Sequence, residues 1–319
     1  MIIVTGGAGF IGSNLIKYLN QNGYYDIIIV DNVGSTIKFN NLTDIYFTDY
    51  IHKNDLWKVI DNYTDGIETI IHLGACSNTM VQDFEYLIEN NFHYTQKLWN
   101  YCTKNKIKFI YASSAATYGD SSNGFSDDHG NTFLLKPLNP YGLSKHLFDT
   151  WCLRKTSVNK LNPPFWAGLK FFNVYGPNEF HKGKMASMAL QSINQIKSTN
   201  SLKLFKSNDP SIKDGDQVRD FIYVEDVVKV IFYFLINDIK SGIYNLGTGK
   251  PESFNKLAQT IMDALDISGK INYIEIPDSI KGKFQNMTNA NMSKLRSVGY
   301  KDDFNNLDTG IRKYINEIQ

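Results

Sequence analysis

The stretch VTGGAGFIGSNL, residues Val4 to Leu15, decides the fold of this chain. It sets Gly6, Gly9 and Gly12 at a GxxGxxG spacing, between an apolar run typical of a strand and a pattern typical of a helix. The first glycine permits a sharp turn, and the second lets the backbone approach a pyrophosphate at the N-terminal dipole of the helix. A plain strand-to-helix turn is the alternative, and this context disfavours it. The stretch therefore predicts a dinucleotide-binding unit.

An acid and two lysines beyond the glycines bear on which dinucleotide would bind. Asp31 ends the second apolar run, about 20 residues past the motif, where an acid usually holds the adenosine ribose. A helix cap or a solvated loop acid is the alternative for this residue. Such an acid favours NAD, whereas Lys38 and Lys53 could neutralise a 2′-phosphate and favour NADP. The residues by themselves leave both cofactors open.

Short apolar runs alternate with amphipathic segments through the first half of the chain. This alternation predicts an α/β fold with a Rossmann-type doubly wound parallel sheet and a second, smaller substrate-binding lobe. We expect residues 1–173 to form the dinucleotide-binding domain, 219–241 to return to it, and 174–319 to form mainly the lobe. The predicted strands are Ile2–Thr5, Ile27–Asp31, Thr69–Leu73, Lys108–Tyr111 and Gly168–Phe172.

Composition and charge exclude several classes of protein. Of the 319 residues, 42% are hydrophobic and 20% are charged, as in ordinary globular proteins. The net charge of +1 argues against nucleic acid as a main partner. The apolar stretch Val227–Ile236 is interrupted by Lys229 and is too short to span a bilayer. The strand pattern that starts at Met1 leaves no room for a signal peptide, so we expect no membrane partner.

The cysteines and histidines point to a cytoplasmic protein without a metal. The three cysteines, Cys76, Cys102 and Cys152, are widely spaced, which suggests reduced thiols and neither a disulfide framework nor a zinc site. None of the six histidines has a spacing typical of metal ligands.

Groups suited to acid–base chemistry follow the fourth predicted strand. NPYGLSKHLFD places Tyr141 and Lys145 four residues apart, which puts both side chains on one face of a helix. A phenol titrates near pH 10, and a nearby ammonium together with a cationic nicotinamide would lower its pKa. Ser114, in YASSAATYGD, could hydrogen-bond to an oxygen that becomes a ketone. A Tyr–x–x–x–Lys match alone is weak, but downstream of a dinucleotide motif it predicts a site for hydride transfer.

Several motifs together resemble the extended short-chain dehydrogenase/reductases, which modify nucleotide sugars. TGGAGFIG, Ser114, the pair Tyr118-Gly119 and PYGLSK carry this likeness. The chain is similar in particular to a branch of that family that acts on ADP-heptose, from Met1 to about Tyr300. The segments that carry the closer likeness are HLGACSNT, YASSAATYG, FFNVYGPNEFHKGKMAS, RDFIYVEDV and IYNLGTGKPESF.

The resemblance implies a bound NADP, with NAD as the alternative, that is recycled and not consumed. Besides the glycines, the residues that would line it are Phe10, Ile11, Asp31, Asn32, Lys38, Lys53, Leu73, Gly74, Ala75, Cys76, Ser77, Asn90, Lys145, Val174 and Lys182. Those that would contact the nucleotide-sugar are Ser114, Asn173, Lys184, Gln191, Phe205, Lys206, Ser207, Asn208, Arg219 and Phe284. The planar Arg219 guanidinium suits a diphosphate, and a surface ion pair is the alternative. The resemblance also implies a cytoplasmic homo-oligomer, with pentamers described in the family, that serves lipopolysaccharide synthesis.

Lys182 lies in YGPNEFHKGKMAS, beside His181 and Lys184. On spacing alone it would be a phosphate-binding or solvated lysine, but the resemblance implies a second acid/base. Inverting a carbon that has no adjacent carbonyl requires hydride removal and return to the opposite face, and each transfer needs a proton partner for the oxygen. Tyr141 would serve one approach and Lys182 the other. Lysine titrates near pH 10 unless it is desolvated or lies beside other cations, so Lys184 and His181 could lower its pKa.

Other functions compete with this one. A nucleotide-sugar 4,6-dehydratase is excluded because Ala115 and Ala116 stand where it needs an acid and a base. A nucleotide-hexose 4-epimerase of the same family shares the glycines, Ser114, Tyr141 and Lys145, but HKGKMAS argues against it. A non-catalytic dinucleotide-binding protein would be free to lose those three polar residues, and all are present. Departures from the family pattern leave the exact sugar open, namely Lys184, Phe284 and a long Asp209–Gln217 loop.

Overall fold

The computed structural model describes residues 1–34, 37–277 and 285–318, without the side chain of Asn159. Its strands are β1 (Ile2–Thr5), β2 (Ile27–Asp31), β3 (Asp49–His52), β4 (Thr69–His72), β5 (Lys108–Ser114), β6 (Trp166–Phe171), β7 (Asn173–Tyr175), β8 (Ser201–Phe205), β9 (Val218–Arg219), β10 (Phe221–Tyr223), β11 (Gly242–Leu246), β12 (Glu252–Ser253) and β13 (Lys270–Ile274). Seven of them form a parallel sheet in the order β11-β6-β5-β4-β1-β2-β3.

Helices cover both faces of this sheet. The α-helices of the described residues are α1 (Phe10–Gln21), α2 (Leu56–Val59), α3 (Phe84–Leu87), α4 (Tyr94–Asn105), α5 (His129–Thr132), α6 (Pro140–Arg154), α7 (Met188–Thr199), α8 (Val224–Ile236), α9 (Phe254–Leu265), α10 (Ser293–Ser297) and α11 (Leu307–Glu317). Helices α1 and α8 pack on one face, and α4 and α6 pack on the other. In the described part of the chain, no helix is long and apolar enough to cross a bilayer.

The sequences of the central strands follow from this double cover. Every residue of β1 and β2 is buried, as expected for strands with helices on both sides. Alternate residues of β1 enter opposite cores, with Ile2 and Val4 facing α1 and Ile3 facing α4. The predicted Rossmann-type parallel sheet is therefore confirmed.

Within the central sheet, strand ends and two whole strands differ from the sequence prediction, and none of the strands of the three two-stranded sheets was predicted. Strand β4 stops at His72, one residue early, β5 continues to Ser114, and β6 runs from Trp166 to Phe171. Strands β3 and β11 were not predicted. The sequence of β3, DYIH, has only one buried residue, so its pattern is weak.

A second core lies beside the first and contains α7, α9 and α11. Three two-stranded sheets lie around it, in which β7 pairs with β10, β8 with β13 and β9 with β12. The chain passes between the two parts more than once, because α8 packs against α1 and β11 joins the central sheet beside β6. The domain limits given above remain a prediction.

Candidate active site

The glycine-rich turn between β1 and α1 is closely packed. Gly6 has φ of +70°, and a Cβ there would lie 2.6 Å from the backbone nitrogen of Gly74. A Cβ at Gly12 would collide with the carbonyl oxygen of Gly6. The N-cap of α1 is Gly9, which has no side chain to cap the first turn. The first-turn N–H groups are therefore suited to bind an anion such as a pyrophosphate.

A cavity of about 210 Å³ lies beside this turn, at the carboxyl ends of β1, β2 and β4. Asp31 accepts hydrogen bonds from the backbone N–H groups of Ala8 and Asn32 at 2.9 and 2.6 Å. Its carboxylate also pairs with the Lys38 ammonium at 2.5 Å. The cavity is lined by the predicted residues Gly6, Asp31, Asn32, Lys38, Lys53, Gly74, Ala75, Cys76 and Asn90.

Lys53 approaches the same cavity from the end of β3. Its ammonium donates to the Asn90 side-chain oxygen at 2.7 Å. Two lysines and one acid therefore surround the position expected for an adenosine ribose, and Lys38 offsets the charge of Asp31. Several other predicted cofactor residues lie apart from the cavity walls: Phe10, Ile11, Leu73 and Val174 pack against the cores, and Ser77 is exposed.

The turn after β4 is held by a residue that the sequence did not reveal. Asn91 accepts from the Cys76 N–H at 2.8 Å and donates to the Cys76 carbonyl and to the Ser144 hydroxyl, both at 3.0 Å. Asn91 lies in a π-helical turn, residues 88–93. This turn aims its side chain at α6, and nothing in the local sequence pattern signals it beyond the Asn90-Asn91 pair.

Helix α6 brings the predicted tyrosine and lysine to the end of β5. Asn139 caps the helix by accepting from the Gly142 N–H at 2.7 Å, and Pro140 is its first residue. The Lys145 ammonium is buried and donates to the Ala112 carbonyl at 2.9 Å. Tyr141 is half-buried and shares a hydrogen bond with Ser114. The structure therefore brings Ser114, Tyr141 and Lys145 together.

Burial is the largest influence on the pKa values of Tyr141 and Lys145. It raises the pKa of the Tyr141 phenol, and the hydrogen bond with Ser114 only partly offsets this. The sequence predicted a pKa lowered by the Lys145 ammonium, but in the protein alone burial and Cys76 raise the pKa of Tyr141, and Ser114 is the group that opposes them. Burial also lowers the pKa of Lys145 to about 8, against the opposing effects of Asp149 and Cys76. A bound cationic ring would act in the direction of phenolate.

Lys182 lies on a different element, the 3-10 segment Phe180–Met185. Its ammonium sits 5.4 Å from the centre of the Phe10 ring, at the start of α1. Burial lowers the pKa of Lys182, and Glu179 opposes this shift. The expected contribution of His181 and Lys184 is not the cause, because burial alone lowers this pKa.

A second cavity, of about 420 Å³, opens in the smaller lobe. Four predicted substrate residues line it: Asn173, Gln191, Phe205 and Arg219. Arg219 is buried, and its guanidinium donates to the carbonyls of Val218 and Gln285 at 2.9 and 2.5 Å. Burial lowers its pKa to about 10. Arg219 is therefore not a surface residue.

Other predicted substrate residues lie outside the walls of this cavity. Lys206 pairs with Glu275 at 2.6 Å on the surface, and Ser207 stabilises the turn at Asp209 through its hydroxyl. Asn208 and Lys184 are exposed. Phe284 lies outside the described residues.

Comparison with known proteins shows the family of this chain. The sequence profile of the NAD dependent epimerase/dehydratase family matches residues 2–247. The chain belongs to this family. Members depend on a nicotinamide dinucleotide, and the glycine turn, Asp31 and the flanking lysines fit such a cofactor here.

Individual relatives of this epimerase/dehydratase chain cover its whole length. ADP-L-glycero-D-manno-heptose-6-epimerase of Fusobacterium nucleatum is 47% identical over 325 residues, 99% of this chain and 97% of that one. The crystal structure of ADP-L-glycero-D-manno-heptose-6-epimerase from Helicobacter pylori has a TM-score of 0.83 at 29% identity, over 99% of this chain and 95% of that one. UDP-N-acetylglucosamine 4-epimerase from Methanobrevibacter ruminantium has a TM-score of 0.84 at 26% identity, over 99% and 97%.

Proposed function

We propose that the protein is an isomerase that inverts C-6″ of ADP-D-glycero-D-manno-heptose to give ADP-L-glycero-D-manno-heptose, for the lipopolysaccharide core. The observation that carries this proposal is the 47% identity, over 99% of the chain, to a relative of that name. The grouping of Ser114, Tyr141 and Lys145 at the cofactor end of the sheet supports the chemistry. The nucleotide-sugar would lie between this group and the cavity that Arg219 lines.

The bound dinucleotide would supply the oxidant and reductant, taking a hydride from C-6″ and returning it to the opposite face. For hydride transfer on one face of C-6″, Tyr141 would exchange the proton of the C-6″ oxygen, and Ser114 would be hydrogen-bonded to the same oxygen. The Lys145 ammonium would favour the phenolate form of Tyr141. Lys182 would exchange the proton with the same oxygen for the other approach, because its half-buried amine has a lowered pKa.

NADP is the cofactor that we propose within the nicotinamide class. Lys38 and Lys53 line the cavity beside Asp31, and the Lys38–Asp31 ion pair removes the repulsion that a lone carboxylate would exert on a 2′-phosphate. The dinucleotide would stay bound through the catalytic cycle. We further propose that the enzyme acts in the cytoplasm as a homo-oligomer, a homopentamer by its family likeness.

A nucleotide-hexose 4-epimerase is the second candidate. The TM-score of 0.84 to the UDP-N-acetylglucosamine 4-epimerase favours it as a fold relative, and such an enzyme would use Ser114, Tyr141 and Lys145 in the same way. It would give Lys182 no role as acid or base.

Product analysis by NMR tests the two candidates. The purified protein, with no cofactor added, is incubated separately with ADP-D-glycero-D-manno-heptose and with UDP-hexoses. We expect inversion at C-6″ of the ADP-heptose and no change in the UDP-hexoses. Inversion at C-4 of a UDP-hexose, with the ADP-heptose unchanged, would reject the proposal in favour of the second candidate.

A further inference from the structure

A fully buried ion pair lies behind the catalytic groups. The Lys170 ammonium of β6 sits 2.8 Å from a carboxylate oxygen of Asp149 on α6, and both side chains have 0% exposure. The ammonium also donates to the Thr117 hydroxyl at 2.6 Å and lies 5.0 Å from the centre of the Tyr118 ring. Because an apolar pair of similar size is often as stable as a buried ion pair, stability alone is a weak reason for these charges.

Contacts of the pair extend along the end of β5. The Tyr111 and Ser113 hydroxyls both donate to Asp149, at 2.9 and 2.7 Å. Between them, the Ala112 carbonyl accepts from Lys145. The Thr117 hydroxyl, which accepts from Lys170, donates in turn to the Ser114 carbonyl at 2.8 Å. Each residue from 111 to 114 is therefore tied either to the ion pair, directly or through one hydroxyl, or to Lys145.

Charges around Lys145 come from several elements. Tyr141, Lys145 and Asp149 follow one another at four-residue steps, so they share a face of α6. The Asp149 carboxylate favours the charged form of Lys145, against the burial that lowers the pKa of this lysine to about 8. The other titratable groups that face Lys145 are Cys76, after β4, and His72, in β4. Those that face Asp149 are Tyr111 in β5, Lys170 in β6, Tyr118 after β5, His129 in α5, and His146 and Cys152 in α6.

We propose that the Asp149–Lys170 ion pair is a positioning device for the catalytic group, which sets Ser114 against Tyr141 and keeps Lys145 charged. Neither residue has a role in the function proposed above. The expected change in kcat/KM rests on that proposed function. Asp149 and Lys170 act through Lys145 and the end of β5, and they are positioning residues, not catalytic ones.

The decisive variant is the double change Asp149→Asn with Lys170→Met, which removes both charges and leaves neither one buried alone. Lys145 is followed in the cofactor-free protein by NMR of lysine labelled with ¹³C at Cε, its signal identified by its loss in Lys145→Arg. We expect the pKa of Lys145 to fall by about one unit in the double variant, the size of a neighbouring opposite charge. The alkaline limb of kcat/KM for ADP-heptose should move to lower pH by the same amount.

The single variants test whether the two residues work as one unit. In Lys170→Met the buried Asp149 carboxylate, left without its cation, is expected to take up a proton and to stop acting on Lys145. Each single change should therefore move the alkaline limb of kcat/KM in the same direction as the double change. The shift in the double variant should be no larger than in either single variant. Additive shifts from the two single changes would count against Asp149 and Lys170 acting as one unit.

Asp226→Asn is the matched control. Asp226 is a buried carboxylate of α8 whose partner is Asn305, at 2.8 Å through both the backbone and side-chain nitrogens of Asn305. This change should lower Tm and leave both the Lys145 signal and the alkaline limb in place. The proposal is overturned if the double variant behaves like this control, or if it cannot fold, since the pair would then be structural. The NMR measurement needs no substrate, so an inactive wild type would count against the proposed function alone.

Discussion

Tyr141 and Lys182 reach the site from separate elements, one from the first turn of α6 and the other from the loop over Phe10. If they serve opposite approaches to one ketone, neither replaces the other. We expect Tyr141→Phe and Lys182→Met each to lower kcat by about 10²–10⁴-fold, the usual contribution of a general acid or base. The double variant should be little worse than either single one. Stopped assays read by NMR would measure this, with bound cofactor checked by absorbance.

Lys197→Met is the control for Lys182→Met, because Lys197 is an exposed lysine of α7 with no predicted role in the site. Its activity should stay close to that of the wild type. A raised KM with kcat preserved in Lys182→Met would mean that this lysine is a substrate-binding cation. Tyr141 would then act alone, as expected of the second candidate function.

Cofactor choice depends on Lys38 and Lys53. Replacing both by alanine leaves Asp31 without its cation and should weaken NADP binding far more than NAD binding, because only NADP places a phosphate there. Calorimetric titration of cofactor-free protein measures both affinities. Lys58→Ala, which removes a surface pair with Asp55, is the control and should change neither. Equal losses for the two cofactors would show that the lysines do not contact the phosphate.

At the level of residues, the sequence predicts best what depends on local spacing. The glycines and the Tyr141–Lys145 step are of this kind, since a turn and a helix face fix their geometry. Asn91, Asp149 and Lys170 could not be found in this way. Their roles depend on contacts between elements far apart in the chain, and Asn91 also depends on a π-helical turn.

Among the elements, the C-terminal helix α11 holds the loop that carries Lys182. The Tyr314 hydroxyl donates at 3.0 Å to the buried Glu179 carboxylate, which also accepts from the N–H and hydroxyl of Ser187. Tyr314→Phe should therefore destabilise the fold by about 1 kcal/mol, the net value of one hydrogen bond. It should also speed amide exchange over residues 176–187, measured by mass spectrometry.

Tyr101→Phe provides the comparison. Tyr101 lies on α4, away from this loop, and its hydroxyl contacts Thr64 and Ile60. Its effect on exchange at 176–187 should be absent. Unchanged exchange in Tyr314→Phe would mean that α11 does not restrain the loop.

The elements also differ in how well the sequence predicts them. Strands β1 and β2 are apolar runs that each end in one polar residue, Thr5 and Asp31, and their bounds are confirmed. Strand β3 was missed because three of its four residues are only half-buried. Strand β11 is apolar but lies in the second half, where the strand–helix alternation weakens, so that only the tertiary structure assigns it to the sheet.

For the molecule as a whole, His72 makes stability depend on pH. Its ring is buried between the hydroxyls of Thr5 and Thr95, at 2.6 and 2.9 Å, and burial lowers its pKa from 6.5 to about 3. Between these two values the unfolded chain binds the proton and the folded one does not. This contribution is therefore complete above about pH 6.5 and is lost as the pH falls toward 3, at about 1.4 kcal/mol for each unit.

Urea unfolding between about pH 4 and 7 measures this dependence. His72→Gln, which cannot take up a proton, should be less stable at pH 7 and should lose less stability on acidification than the wild type. His52→Gln, at a half-buried histidine in β3, is the control. Equal acid slopes for the wild type and His72→Gln would assign the acid sensitivity to other groups.

The place of β11 in the sheet has a consequence for how the chain is made. This strand pairs with β6, yet it is encoded after β7, α7 and α8. As the chain leaves the ribosome, β6 stays a bare, apolar edge until residues 242–246 arrive, and such an edge is prone to pair with another chain. Release of a fragment that stops near residue 173 would leave that edge open for good. The dinucleotide-binding part is thus complete only after roughly half of residues 174–319 has been translated, so the two parts of the chain fold together.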